Sequence, residues 1–291
     1  MPTPTAYFKK QFVPLAEAKI GVMTHAFNYG TACFEGIRGN WNQDEGQIYV
    51  FRTREHFQRL KASCRILRID LPYTVDELCD ITLSSEMLGV RLHDLEDDFL
   101  LFVTPFGPYL DVEKGIRCCV STWRRVDDNT IPARAKINGL YVNSALAKTE
   151  AHDNGMDEAI ILNQDGHVSE GSGENIFLVM NGKLVTPPVS DNILVGITRD
   201  TVMTLAMNEF GIETVERSID RSELYICDEC FMTGTAAHVS PVLEVDHRPV
   251  GDGKAGAITS RLQKLYFDVL KGKNPKYREW CTPAYSKLVK A

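Results

Sequence analysis

Long apolar runs are missing from this chain: no window approaches the roughly 18 uninterrupted apolar residues of a membrane-crossing helix. The start, Met1 to Gln11, mixes Pro, Thr and Lys where a secretory leader would carry an apolar core. Runs of like charge are scarce as well. Asp94 to Asp98 is the nearest thing to one and reads as a solvated turn. With a formal charge of -7 and a pI near 5.6, nothing favours a nucleic-acid partner. The sequence has no Walker phosphate loop, no H-E-x-x-H and no G-x-S-x-G, which removes the commonest phosphate-loop, zinc-protease and hydrolase readings. It also lacks internal repeats and low-complexity tracts.

Cysteine is present, with eight residues, but without a pattern: the spacings are irregular in a chain too large to need staples. Reduced thiols are expected, and the missing apolar runs and leader core lead to the expectation of a cytoplasmic location and no membrane association. Cys227-x-x-Cys230 is the pair worth weighing. A zinc site would need a second pair or two histidines at matching spacing, so no metal is expected. The plain reading is two half-buried thiols entering a strand at Phe231-Met232, with a redox role left open.

What is present suits an ordinary globular enzyme. The 291 residues, 44% of them hydrophobic, are enough for two modest domains or one large one. Short β-type runs at Gln47 to Phe51, Phe99 to Val103 and Ile116 to Trp123 surround two helical stretches. Arg54 to Leu67 repeats apolar positions at Phe57, Leu60 and Cys64, and Val75 to Leu88, closed by Gly89, repeats them at Leu78, Ile81 and Met87. Arg124 to Ala135, with Asp127, Asp128, Asn129 and Pro132, breaks the pattern. The division expected is a small domain over 1–125, a linker over 126–135 and a larger domain over 136–291.

The second half predicts a helix through Ser144 to Asn154 and strands at Glu158 to Leu162, Asn175 to Met180 and Lys183 to Val185. Hairpin turns are marked by Asn163-Gln164-Asp165-Gly166 and Asn181-Gly182. Helices follow at Thr198 to Phe210, stopped by Gly211, and at Ala257 to Leu270. Gly251-Asp252-Gly253-Lys254-Ala255-Gly256 formally matches a dinucleotide fingerprint. Its preceding run Arg248-Pro249-Val250 is too short and proline-broken for a core strand, so a loop is expected.

Five segments carry the chemistry. They are Thr24-His25-Ala26-Phe27-Asn28-Tyr29-Gly30-Thr31 running on to Phe34-Glu35-Gly36-Ile37-Arg38, then Ile131-Pro132-Ala133-Arg134-Ala135-Lys136, then Ser169-Glu170-Gly171-Ser172-Gly173-Glu174-Asn175, then Gly196-Ile197-Thr198-Arg199, and Gly234-Thr235-Ala236-Ala237. Taken singly, each has a bland reading. Lys136 beside Asn138-Gly139 is a solvated lysine, Arg59 is a surface residue of an amphipathic helix, and Glu170 and Glu174 are turn polar groups. Ile197 and Thr198 say more by themselves, because the N-H groups opening a helix, with the threonine hydroxyl, suit an anion.

In order and spacing, these segments closely resemble the signatures of branched-chain amino-acid aminotransferases, over nearly the whole chain. The resemblance implies an α/β (mixed α+β), fold-type IV enzyme with a small N-terminal α/β domain and a larger C-terminal domain with a β-barrel-like core. It implies pyridoxal 5'-phosphate as cofactor, at least a homodimer, and reversible amino transfer between leucine, isoleucine or valine and 2-oxoglutarate. Lys136 matches the lysine that holds the cofactor as a Schiff base and moves the proton. Glu170 matches the acid at the pyridine nitrogen, with Glu174 as rival, and Tyr141 matches the donor to the ring hydroxyl. Arg59, Ile197, Thr198 and Thr235 match the phosphate set, and Leu194 the residue packed on the ring. For substrate, the likeness points to Tyr29, Phe34, Gly36, Arg38 and Tyr109, with the backbone N-H groups of Thr235 and Ala236 for the carboxylate.

One departure stands out. The family's Tyr-Ile-Arg type strand, expected between the second helix and Phe99, is not found, and Val75 to Leu83 runs straight into Ser84-Ser85-Glu86-Met87-Leu88-Gly89. That gap keeps two other expectations open. One is a sister activity of the fold: a D-amino-acid or R-amine transaminase, or an aminodeoxychorismate lyase. The other is an inactive dimeric relative kept for binding.

Overall fold

A computed structural model of the chain describes residues 5–84, 99–104, 110 and 114–285. Its contacts divide it into two compact units, Met1–Phe106 with Ala135–Gly139 and Val269–Ala291, and Gly107–Arg134 with Leu140–Asp268.

In the first unit, one antiparallel sheet orders Gln11–Pro14, Thr5–Phe8 and Leu100–Leu101, and another orders Cys281–Pro283, Gln47–Phe51 and Gly39–Asn42. The strand expected over Phe99 to Val103 is cut to Leu100–Leu101, the stretch that finds partners in Phe8 and Tyr7. After the strand Gln47–Phe51, Arg52 turns the chain at φ 48 and the helix Thr53–Ile66 begins. That helix buries Phe57, Leu60 and Cys64 along one stripe, the predicted helical spacing. The next helix, Val75–Ser84, opens on a capping box in which Thr74 Oγ1 accepts from Glu77 N-H and Glu77 Oε2 accepts from Thr74 N-H. The remainder of the predicted helix to Leu88, and the gap where the family strand was sought, lie outside the described residues.

Ala135–Gly139 packs with the first unit, although the sequence reading divided it between linker and large domain. The reason is pairing. Cys33 bridges Ile137, Phe34 N-H donates to Lys136 O (3.1 Å), Asn138 N-H to Ala32 O (2.8 Å) and Gly139 N-H to Gly30 O (3.0 Å). Gly30 sits at φ 68, and a Cβ there would lie 2.8 Å from Gly139 Cα, so the two backbones approach as only glycine permits.

The second unit is built on a curled nine-stranded mixed sheet. Its order is Thr214–Glu216, Lys183–Thr186, Asn175–Met180, Glu229–Gly234, His238–Val245, Ile116–Arg124, Glu158–Leu162 and Val168–Gly171, with Arg248–Pro249 added on His238–Val245. Ile116–Arg124, read from sequence as part of the small domain, belongs to this sheet because it pairs in parallel with both His238–Val245 and Glu158–Leu162. Every residue of Glu158–Leu162 is buried, the pattern of a strand covered on both faces. Asn181 and Gly182, at φ 51 and 72, form the expected tight hairpin. Phe177 and Phe231 stack with centroids 5.0 Å apart in the core. Helices occupy Tyr141–Asp153, Ile197–Phe210 and Ala257–Leu270, the second ending on Gly211 at φ 63. The Gly251-to-Gly256 segment is a turn followed by the helix Ala257–Leu270. No helix among the described residues is long and apolar enough to cross a membrane.

All eight cysteines are free thiols. Cys227 and Cys230 are buried, not half-buried, and burial pushes the Cys227 thiol up to about 12 and Cys230 well above its ordinary value.

Candidate active site

In the first unit Lys136 is held by its backbone. Its N-H donates to Ser63 Oγ at 3.2 Å, its carbonyl accepts from Phe34, and its Nζ lies 4.8 Å from the centre of the Phe34 ring. The same 32–35 stretch places Glu35 against the helix Thr53–Ile66. There Arg59 donates from Nε to Glu35 Oε1 (2.7 Å) and from Nη2 to Oε2 (2.6 Å), and the His56 ring Nδ1 meets Oε2 at 2.7 Å. The Glu35 side chain is 1% exposed. Burial pushes its carboxyl up, but the Arg59 guanidinium and the His56 ring outweigh burial and hold it at about 2. Burial pushes the His56 ring below its ordinary value despite Glu35 beside it. Neither partner was singled out from sequence. Glu35 stands inside a motif as one polar residue among several, and His56 carries no local mark of function.

Of the other expected residues in this unit, Tyr29 is largely exposed at the end of the helix His25–Tyr29, its ring 4.6 Å from His25. Gly36 is exposed, with nothing within 4 Å of where a Cβ would sit, and Arg38 is half-buried, its carbonyl accepting from Phe51 N-H. Tyr109 lies outside the described residues.

In the second unit Glu170 stands on Val168–Gly171, a strand buried throughout. Both its oxygens accept hydrogen bonds. Arg125 Nη2 donates to Oε1 at 2.5 Å, Asn175 Nδ2 to Oε2 at 2.9 Å, and Leu194 N-H lies 3.2 and 3.1 Å from the two. Arg125 is itself buried, its Nη1 reaching Ser144 Oγ and its Nε the Asn192 carbonyl, both at 3.4 Å. Sequence reading left Arg125 at the edge of a presumed linker, because nothing local ties it to a glutamate 45 residues on.

Asn175 Nδ2 also donates to Leu194 O at 2.9 Å, and a Cβ at position 196 would lie 2.0 Å from Asn175 Oδ1, so glycine is required there by close approach. Gly196 is the N-cap of the helix Ile197–Phe210 and has no side chain to cap it. One short stretch, 194–198, is therefore pinned to the Glu170 carboxylate at one end and opens a helix at the other, with Ile197 and Thr198 buried in its first turn. Thr235 and Ala236 form the turn between Glu229–Gly234 and His238–Val245, braced by Ser240 Oγ donating to Ala237 O at 2.7 Å. Tyr141 opens the helix Tyr141–Asp153 and is half-buried.

Glu174 differs from Glu170. Its Oε2 accepts one N-H, from Gly173 at 3.0 Å, and burial, aided by the nearby Glu158 charge, pushes its carboxyl up to about 8. Glu158 is fully buried and takes Lys148 Nζ at 2.5 Å.

This donor set fits pyridoxal phosphate on its own terms. A buried carboxylate held by three donors, with acceptor capacity to spare, suits a protonated ring nitrogen, and an uncapped helix start suits a dianionic phosphate. Among the described residues no group of three or more His, Cys, Asp or Glu is arranged to hold a metal ion.

Residues 32–245 match the family described as Amino-transferase class IV. A probable branched-chain-amino-acid aminotransferase of Aquifex aeolicus is 49% identical to the chain, with 97% of each sequence covered. The crystal structure of a branched-chain aminotransferase from Thermoproteus uzoniensis with norvaline superposes with a TM-score of 0.91 at 40% identity, covering 98% of this chain and 100% of that one. The PLP-form of the Thermobaculum terrenum branched-chain amino acid aminotransferase does so with a TM-score of 0.90 at 34% identity, covering 98% and 99%. The chain belongs to the class IV aminotransferases, and is a transaminase of the branched-chain amino-acid type with the fold-type IV architecture.

Proposed function

We propose that the chain carries out reversible amino transfer between L-leucine, L-isoleucine or L-valine and 2-oxoglutarate, with pyridoxal 5'-phosphate attached to Lys136. The observation that carries this reading is the 194–198 stretch, which ties the buried Glu170 carboxylate to an uncapped helix start. When bound, the cofactor supplies an electron-withdrawing ring that stabilises negative charge on the substrate carbon.

The chain's residues do the rest. Lys136 would anchor the cofactor, and its amine would serve as the base that takes the proton from the substrate carbon. Glu170 keeps the ring nitrogen protonated, Tyr141 donates to the ring hydroxyl and Leu194 packs on the ring. Arg59, the Ile197 and Thr198 N-H groups and Thr235 hold the phosphate. The Thr235 and Ala236 N-H groups take the substrate carboxylate, while Tyr29, Phe34, Gly36, Arg38 and Tyr109 select its side chain.

We also assign the chain to the cytoplasm, as free thiols suggest, and to a homodimer. Support for the dimer is the apolar surface of Val22, Met23, Phe27 and Tyr29, exposed by 76, 88, 66 and 72%.

Absorbance spectra of the holoenzyme on adding L-leucine, D-alanine, (R)-phenylethylamine or aminodeoxychorismate test the activity. L-leucine should convert the cofactor to its amine form fastest. If L-leucine leaves the spectrum unchanged while another of these converts it, the branched-chain reading is lost.

A further inference from the structure

We propose that Glu35 is a positioning residue for the phosphate, setting cofactor affinity through its two-pronged grip on Arg59. The proposal rests on the reading of Arg59 as a phosphate ligand and adds a residue to which no role has been given.

The geometry is that of a fixed bracket. Arginine is a long side chain with many rotamers, and one left loose on a helix surface must be ordered by the phosphate it binds. Here the guanidinium plane is set beforehand. Nε and Nη2 make parallel bonds of 2.7 and 2.6 Å to the two oxygens of one carboxylate, which fixes orientation as well as distance. That carboxylate cannot drift. Its side chain is 1% exposed, and the His56 ring, itself buried, holds Oε2 from a second direction at 2.7 Å. Both His56 and Arg59 come from the helix Thr53–Ile66, so the bracket spans one helical turn.

Its placement along the chain adds a second function. Glu35 follows Phe34, whose N-H donates to Lys136 O and whose ring lies 4.8 Å from Lys136 Nζ. Successive residues of one stretch thus touch the anchoring lysine and the phosphate arginine. The stretch is pinned by the Cys33–Ile137 bridge, so the separation of the two cofactor attachment points is set by backbone pairing instead of by flexible side chains.

Simple electrostatics and positioning make opposite forecasts. Glu35 neutralises much of the Arg59 charge, so if charge alone mattered, removing it would tighten phosphate binding. If orientation matters, removing it loosens phosphate binding and leaves the rest of the cofactor's contacts alone.

The test uses full-length apoenzyme titrated with pyridoxal 5'-phosphate and, separately, with pyridoxal, which lacks the phosphate. Binding is followed by the absorbance of the lysine-bound form and by tryptophan fluorescence. Five proteins are compared: wild type, Glu35→Gln, Arg59→Ala, the Glu35→Gln/Arg59→Ala double variant, and Glu35→Asp as a second way to break the grip while keeping the charge. Glu35→Gln and Glu35→Asp should each weaken pyridoxal 5'-phosphate binding roughly tenfold or more, the loss expected for a hydrogen bond to a charged group. Pyridoxal affinity should stay within about twofold, and Glu35→Gln should add nothing once Arg59 is gone, since coupled residues are not additive.

A merely structural role would move both ligands alike. Equal loss for pyridoxal, or unchanged or tighter pyridoxal 5'-phosphate binding in Glu35→Gln and Glu35→Asp, overturns the proposal while Arg59 stands. Unchanged affinity in Arg59→Ala overturns the phosphate reading of Arg59 and the proposal with it.

Discussion

Glu170 and Glu174 sit four residues apart, each 3% exposed, yet their surroundings put them to opposite uses. Around Glu170 the chain gathers a guanidinium, a side-chain amide and a backbone N-H, replacing the water that a buried carboxylate loses. Around Glu174 it supplies one backbone N-H and a second buried acid, Glu158, so the proton stays on until about pH 8. The lesson is that burial by itself does not decide charge. The donors brought by distant parts of the chain do, and here only Glu170 is equipped to face a cation.

The largest way to break this contrast is to exchange the carboxylates for amides. Glu170→Gln should lower kcat roughly 10²–10³-fold, the usual cost of removing a group aimed at developing charge, whereas Glu174→Gln should leave kcat within about twofold. Equal losses in the two variants, measured with L-leucine at saturating cofactor, would show that the two carboxyls are not distinguished by their donors. Next in size is Arg125→Met. Removing one partner of a buried ion pair typically costs about 3–5 kcal/mol, and urea unfolding of the apoenzyme should register it. The matching change at Lys148, whose side chain is 32% exposed beside Glu158, should cost clearly less because water can replace the ammonium. A larger loss at Lys148 than at Arg125 would invert the comparison.

How much of this was legible beforehand follows from distance along the chain. The helix Thr53–Ile66 is written in Phe57, Leu60 and Cys64, and the hairpin at Asn181-Gly182 in residues that accept positive φ, because each signal lies within a few neighbours. The strand Val168–Gly171 is not. Ser169, Glu170 and Gly171 read as a polar turn, and only Arg125, Asn175 and Leu194 arriving from elsewhere make burial tolerable. The roles of Lys136, Glu170 and Arg59 came from resemblance, since a lysine beside Asn138-Gly139 has no local mark of function. The partners Glu35, His56 and Arg125 escaped notice because an ion pair across 24 or 45 residues leaves no periodicity.

The subtlest difference between the two carboxyls should appear as pH dependence. Glu174 holds its proton in the folded protein up to about pH 8, while in the unfolded chain it gives the proton up near the ordinary glutamate value of 4.5. Between those limits the folded state binds more protons than the unfolded one, so stability from this group falls as pH rises across the window and levels off above it. Glu174→Gln cannot titrate. Below the window it should match wild type, since a neutral carboxyl and an amide make similar demands. Through the window it should gain relative to wild type, reaching on the order of 5 kcal/mol near pH 9 by the 1.36 kcal/mol per pKa unit of linkage. Urea unfolding of both apoenzymes at pH 5, 7 and 9 measures this directly. Parallel curves would mean that Glu174 is ionised in the folded protein at neutral pH, and then its separation from Glu170 would rest on geometry alone.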